Sequence, residues 1–123
     1  MAPSASAAYE CGDGQVCIYK NSDFTGSVYV VPKVTLSNGL KAACARDLST
    51  SRYTDGSVVD NTASSIVNNS DSVIFLSEYK NGGGKYTGVS GGRRLWNLDS
   101  VQTFDSAGHQ TYESFNDRAS SAC

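Results

Sequence analysis

Two six-residue strings in this chain repeat one pattern: Asp60-Asn61-Thr62-Ala63-Ser64-Ser65 and Asn116-Asp117-Arg118-Ala119-Ser120-Ser121. Each has two Asp/Asn residues, two free positions and then Ser-Ser. Other landmarks recur with them. Tyr19 returns as Tyr79 after 60 positions, Phe24 and Gly26 return as Tyr86 and Gly88 after 62, and Asp60 returns as Asn116 after 56. Four landmarks in one order, one of them a six-residue string, argue for an internal duplication whose loops have drifted in length. Such a chain is restricted to folds made of two like halves.

At 123 residues the chain is long enough for one modest core and too short for two ordinary domains. The division expected is a disordered tail over 1–8 and a single domain over 9–123, with its first half at about 9–71 and its second at about 72–123. Ten basic residues against 12 acidic ones give a net charge of −2, and no basic cluster exceeds Arg93-Arg94, which excludes a phosphate-tracking surface and so a nucleic-acid partner. Seven Tyr and 12 Gly among many Val, Ser and Thr favour short strands joined by tight turns, so the chain reads as all-β. Residues 1–8 carry neither a charged leader nor an apolar run, and therefore no intact signal peptide or membrane span. Ala5-Ser6-Ala7 has the small-residue character of a secretory cleavage site. A processed, secreted monomer with no membrane partner is the expectation.

Cys11, Cys17, Cys44 and Cys123 form no C-x-x-C pair, and the single histidine, His109, lies far from them in sequence. That argues against zinc or a redox motif and for two disulfides, in keeping with secretion. Three pairings are open. Cys11–Cys17 with Cys44–Cys123 is favoured because the close pair brackets a Gly-Asp-Gly turn and the C-terminal residue needs an anchor.

Alternating apolar residues predict strands at 15–19, 27–31, 64–67, 72–76, 85–89 and 94–98. The connector 33–59 carries only a weak helical hint at Leu40–Leu48, and a polar connector is expected after Leu98. Asn68 to Ser72 superficially resembles a third string but lacks the second Ser and follows a strand, so it reads as a hairpin turn. Trp96 reads as a core anchor and His109 as an exposed loop residue. No G-x-S-x-G or other nucleophile motif is present, and Gly82-Gly83-Gly84-Lys85 lacks the spacing of a phosphate loop. The chain is not expected to be an enzyme.

The paired strings offer Asp, Asn and Ser side chains and backbone carbonyls, hard oxygen donors of the kind that suit Ca²⁺. An isolated Asx-rich string followed by Ser is more often a backbone-capping turn, but two copies in register favour paired metal sites.

The run Tyr19-Lys20-Asn21-Ser22-Asp23-Phe24-Thr25-Gly26 resembles the aromatic-x₄-aromatic-x-Gly corner of βγ-crystallin Greek keys, and each string resembles the calcium motif of microbial βγ-crystallins. In the second half, Tyr79 and Tyr86-Thr87-Gly88 keep the ends of the corner but have six residues between the aromatics instead of four. The resemblance implies two Greek-key motifs forming a β-sandwich, with at most a short helix in 33–59, and two Ca²⁺ ions held in a crossed pair. Each ion would take a carbonyl from one string and the fifth-position hydroxyl from the other. The residues implied are Asp60, Asn61, Thr62 and Ser64 in one half and Asn116, Asp117, Arg118 and Ser120 in the other. Carbonyls near Asn21 and Asn81 are further candidates, and Ser65 and Ser121 would bond backbone. One carboxylate per string predicts dissociation constants of about 10⁻⁶ to 10⁻³ M, and the Arg118 guanidinium must point away from its ion. The leading expectation is a secreted domain stabilised by two Ca²⁺ ions. The alternative is a secreted protease inhibitor, since small disulfide-containing metalloprotease inhibitors of microbial origin are similar to single βγ-crystallin domains; its binding segment would come from the connector 33–59. A secreted toxin or antifungal effector on the same fold is a further reading.

Overall fold

A computed structural model describes residues 9–123. The expected tail, residues 1–8, lies outside the described residues. Eleven strands run in chain order: β1 Val16–Asn21, β2 Thr25–Val30, β3 Lys33–Thr35, β4 Lys41–Ala43, β5 Ser65–Asn68, β6 Ile74–Ser77, β7 Tyr86–Val89, β8 Arg94–Leu95, β9 Val101–Phe104, β10 Gln110–Glu113 and β11 Ser121–Ala122. They form an antiparallel sheet of order β2-β1-β5-β8, a second of order β10-β9-β7-β6-β11, and the separate hairpin β3-β4. The two large sheets make an all-β sandwich.

The sub-orders β2-β1-β5 and β7-β6-β11 are the same arrangement, a hairpin whose first strand is flanked by the last strand of its half. Each half also pairs with the sheet of the other, the second through a strand and the first through a single bridge. β8 pairs with β5 through Ile66↔Leu95, and Ala45 forms an antiparallel bridge with Ala122 beside β11. Between the sheets lie Val16, Ile18 and Ile66 from one and Ile74, Leu76, Val89 and Val101 from the other, closed by Leu48, Tyr53, Val59, Leu98 and Phe115. The remaining face of β1 is also covered: Cys17, Tyr19, Val28 and Val67 pack with Cys11 and Phe24, and the Tyr19 hydroxyl donates to the Tyr9 carbonyl at 2.5 Å. Disulfides join Cys11 to Cys17 and Cys44 to Cys123.

Several elements differ from expectation. The helical hint at Leu40–Leu48 gives way to strand β4, because Lys41–Ala43 pairs with Lys33–Thr35 and the Cys44 N–H donates to the Pro32 carbonyl; only a 3₁₀ turn forms, at Leu48–Thr50, capped by Asp47. Tertiary pairing outweighs a weak propensity here. The polar connector after Leu98 contains the hairpin β9-β10, in which Thr103 and Val101 face the core while Gln102 and Phe104 face out. Asn68 to Ser72 links the two sheets instead of closing a hairpin. The buried Asn68 amide donates to the Ser72 and Val89 carbonyls and its oxygen accepts from Ser70. Trp96 is 59% exposed, since β8 ends at Leu95 and only the Trp96 carbonyl is engaged, by the N–H of Asp23.

Candidate functional site

The two strings meet at one end of the sandwich, and they meet reciprocally. Asn61 donates its N–H to the Ala119 carbonyl at 2.9 Å, and Asp117 donates its N–H to the Ala63 carbonyl at 3.0 Å. Both donors sit in the left-handed region at φ 58°, which Asn and Asp tolerate better than other residues with a Cβ. Ala63 and Ala119 are fully buried, so the fourth position of each string is not free: a larger side chain would hold the crossing backbones apart. The hydroxyl of Ser120 reaches across to Asn61 Oδ1 at 3.2 Å.

Behind the crossing, the sixth-position serines tie each string to a corner. Ser65 Oγ donates to the Asn21 carbonyl at 2.7 Å and accepts from the Phe24 N–H at 3.1 Å; Ser121 Oγ donates to the Tyr79 carbonyl at 3.0 Å and accepts from the Gly82 N–H at 3.1 Å. The Asp23 N–H donates to Trp96 O and the Asn81 N–H to Arg46 O, both at 2.7 Å. These bonds correct the alignment of the corners. Tyr19, which pairs with Ser65, is matched by Ser77, which pairs with Ser121; Phe24 is matched by Gly82 and Gly26 by Gly84. The second corner therefore keeps the four-residue spacing and has lost both aromatics. Tyr79, not Asn81, is the counterpart of Asn21, and Asn81 corresponds to Asp23. Glycine replaces the bulky Phe24 at Gly82, where φ is positive in both corners, and Gly84 keeps the glycine of Gly26.

The strings differ in their oxygen atoms. In the first, Asp60 Oδ1 is buried without a hydrogen-bond partner, while Oδ2 lies 3.3 Å from Asn61 Nδ2. Thr62 turns its hydroxyl inward, 2.8 Å from the Val59 carbonyl and 2.9 Å from the hydroxyl of Tyr53, whose pKa burial pushes up to about 12. Ser64 Oγ is 3.5 Å from the Thr62 carbonyl. In the second string, Asp117 is exposed and the Asn116 N–H donates to Ser114 Oγ. Arg118 points away to acids: its guanidinium meets Glu113 at 2.9 Å and Glu78 at 2.5 Å, and lies over the Phe115 ring. Glu113 also accepts from Thr103 Oγ1 at 2.6 Å and pairs with Lys85 at 3.1 Å. The Thr103 hydrogen bond, then Arg118 and Lys85, lower the Glu113 pKa to about 2, and Arg118 likewise lowers that of Glu78. No group of three His, Cys, Asp or Glu residues suited to a metal occurs among the described residues. The donors at the strings are instead one carboxylate with carbonyls and hydroxyls, a set that fits a hard cation, and an unpaired buried carboxylate oxygen is costly unless something charged or hydrogen-bonding meets it.

A second feature stands apart from the crossing. The corners match at a separation of 58 positions, yet the residues that pair across to the other half, Ala45 and Leu95, match at 50, so the first half carries eight extra residues between Gly26 and Ala45. The surplus falls on the β3-β4 hairpin, which belongs to neither large sheet. His109, with its ring 3.3 Å from Asp105, occupies the exposed β9-β10 turn.

Comparison with protein families matches residues 4–89 to the model of peptidase inhibitor family I36. The matched span takes in the Cys11–Cys17 bridge, the first corner, the β3-β4 hairpin and the first string, and ends with β7. No curated protein and no solved structure matches the chain.

Proposed function

The chain belongs to peptidase inhibitor family I36, and on that premise we propose that it is an extracellular protein inhibitor of metallopeptidases that acts by binding and has no catalysis of its own. The observation that carries this reading is the family match over well more than half of the chain. The architecture supports it physically. Two disulfides and a sandwich locked at both strings leave the exposed loops little freedom, and a binding segment already held in shape loses little entropy when it docks. The disulfides suit an oxidising, extracellular setting, and no helix among the described residues is long and apolar enough to cross a membrane. The test is inhibition of a panel of secreted peptidases of the metallo, serine and cysteine classes. Inhibition of a metallopeptidase at nanomolar to micromolar concentration is the expected result, and inactivity against all three classes overturns the reading.

A second reading concerns the strings and is compatible with the first. We propose that they bind Ca²⁺ and that the ion stabilises the end of the sandwich where they cross; the observation favouring this is the buried, unpartnered Asp60 Oδ1. Bound Ca²⁺ would supply positive charge to that oxygen, with Thr62 and Arg118 offering carbonyls and Ser64 and Ser120 hydroxyls. A ligand that binds only the folded state adds RT ln(1 + [L]/Kd), about 2.7 kcal/mol at a hundredfold excess over Kd. Melting in calcium against melting in EDTA tests it, and an unchanged Tm in a well-folded sample overturns it.

A further inference from the structure

The inhibitor reading leaves open which part of the surface meets the peptidase, and the β3-β4 hairpin answers the physical requirements of that role. An active-site cleft is concave, so its occupant must project. The hairpin is the insertion that the second half lacks, it lies outside both large sheets, and it falls within the span shared with the inhibitor family. Its tip, Leu36 to Leu40, is also held in shape. The Leu36 N–H donates to the Leu40 carbonyl at 2.7 Å, the Gly39 N–H returns to the Leu36 carbonyl at 2.9 Å, and the Leu40 N–H donates to Asn38 Oδ1 at 3.0 Å. Gly39 takes φ 84°, a turn geometry that costs glycine little. At the base, the Cys44 N–H donates to the Pro32 carbonyl and Cys44 is bridged to Cys123, so both strands of the hairpin are anchored to the sandwich.

The side chain that such a tip offers is Leu40. It is 66% exposed, the most exposed large apolar residue that the matched span holds among the described residues. At a hairpin tip that side chain is free to be presented to a partner. The competing apolar residues of that span are differently placed: Phe75 lies on the flat outer face of a sheet, packed edge-on against Tyr86, and Tyr79 lies against the glycines of its own corner. The exposed turn Asp105 to His109 is polar and lies beyond the matched span.

We infer that the tip Leu36–Leu40 is the segment that enters the target's active-site cleft, with Leu40 filling an apolar specificity pocket; this rests on the inhibitor reading. The partner it fits is a peptidase that selects bulky apolar residues. An enzyme with an acidic, Lys- or Arg-selecting pocket would instead engage the neighbouring Lys41.

The experiment compares the parent with Leu40→Ala, Leu40→Asp and, as a surface control, Tyr112→Ser. The three enzymes are a zinc metallopeptidase with an apolar specificity pocket, a trypsin-like serine peptidase and a papain-like cysteine peptidase. Thermal melting verifies folding of each variant. The expected result is inhibition of the zinc enzyme by the parent, weakened about thirtyfold or more by either Leu40 substitution, the scale for truncating an anchoring side chain, and unchanged by Tyr112→Ser. Hydrogen exchange of the parent complex gives a readout free of variants, with new protection expected at residues 36–41. Full potency of both Leu40 variants, or protection elsewhere and not at the tip, overturns the inference while the inhibitor reading stands. Inhibition of the trypsin-like enzyme alone overturns the apolar anchor. A parent inactive against all three overturns both the inference and the reading beneath it.

Discussion

The N–H of Asn61 bonds to the carbonyl of Ala119, and this contact between the two halves is returned by the bond from the N–H of Asp117 to the carbonyl of Ala63, two residues on in the first string and two residues back in the second. The halves are thereby joined backbone to backbone where each string turns through the left-handed region, with both donors at φ 58°. Only a methyl-sized side chain fits beside each bond, as the complete burial of Ala63 and Ala119 shows.

Substituting Ala119→Leu should therefore force the strings apart and cost about 1 to 3 kcal/mol, the usual range for overpacking a filled core. Urea unfolding is the measurement: the midpoint should fall with little change in m. Ala107→Leu, in the exposed β9-β10 turn, should leave the midpoint within experimental error.

The two disulfides should contribute unequally. Cys44–Cys123 closes a separation of 79 residues and Cys11–Cys17 one of 6, so chain entropy assigns them about 4.5 and about 2.4 kcal/mol. Replacing both Cys44 and Cys123 by Ser should lower unfolding stability by more than replacing Cys11 and Cys17. The short bridge also fills the apolar cluster around Tyr19, so a cavity adds to its cost; a larger loss on removing it would mean that packing, not loop closure, dominates.

Acid should weaken the cluster in which Glu113 and Glu78 meet Arg118 and Lys85. Glu113 has its pKa lowered from 4.5 to about 2 by Thr103, Arg118 and Lys85. A carboxylate with a depressed folded pKa contributes stability above its unfolded pKa and loses it as pH falls through the folded value. The loss should thus run from about pH 4.5 to about pH 2, and Glu113→Gln should flatten that part of the profile. Glu78, shifted in the same direction by the same arginine, should add to the slope. Tm measured from pH 6 to pH 2 checks this, and identical slopes for parent and Glu113→Gln would contradict it.

Much of the fold was legible because the duplicated strings and the period-2 strands carry their own signals. The all-β class and the strands around Ile18, Ile66, Leu76 and Val89 follow from apolar alternation, which needs no knowledge of partners, whereas the sandwich arrangement is what the resemblance of the corner and the strings implies. Misreadings arose where a residue's role is set by a distant neighbour. Leu40 and Leu48 look like helix formers until Lys41–Ala43 finds Lys33–Thr35. Trp96 looks like core until β8 proves to be two residues long. The second corner is hidden from an aromatic pattern, because Ser77 and Gly82 stand where the first half has Tyr19 and Phe24; the serine that closes each string marks it instead, since Ser65 and Ser121 bond the same two backbone groups of their corners. The alanine shared by both strings is a signal present in the sequence, because its position is fully buried in each half and is not free. At the strings themselves, the donor types are readable from sequence, but the asymmetry is not: it depends on Asp60 Oδ1 being buried and on Arg118 finding two glutamates.

That asymmetry yields the last prediction, for the calcium reading. Ser120 reaches Asn61 across the crossing, whereas Ser64 Oγ turns to the carbonyl of Thr62 in its own string. If ions bind as a crossed pair, Ser120→Arg should impair the ion held chiefly by Asp60 and Thr62, and Ser64→Arg the ion held chiefly by Asp117 and Arg118. The carboxylate at Asp60 is the one with a buried oxygen lacking a partner, so its ion should bind more tightly. Calorimetric titration of the parent should then resolve a stronger and a weaker event; Ser120→Arg should remove the stronger and Ser64→Arg the weaker. Asp60→Ala should abolish most of the calcium-dependent rise in Tm, and Asp117→Ala should abolish less. The reverse order, or loss confined to each substituted string's own ion, would show that the strings bind independently and that their reciprocal hydrogen bonds serve the fold alone.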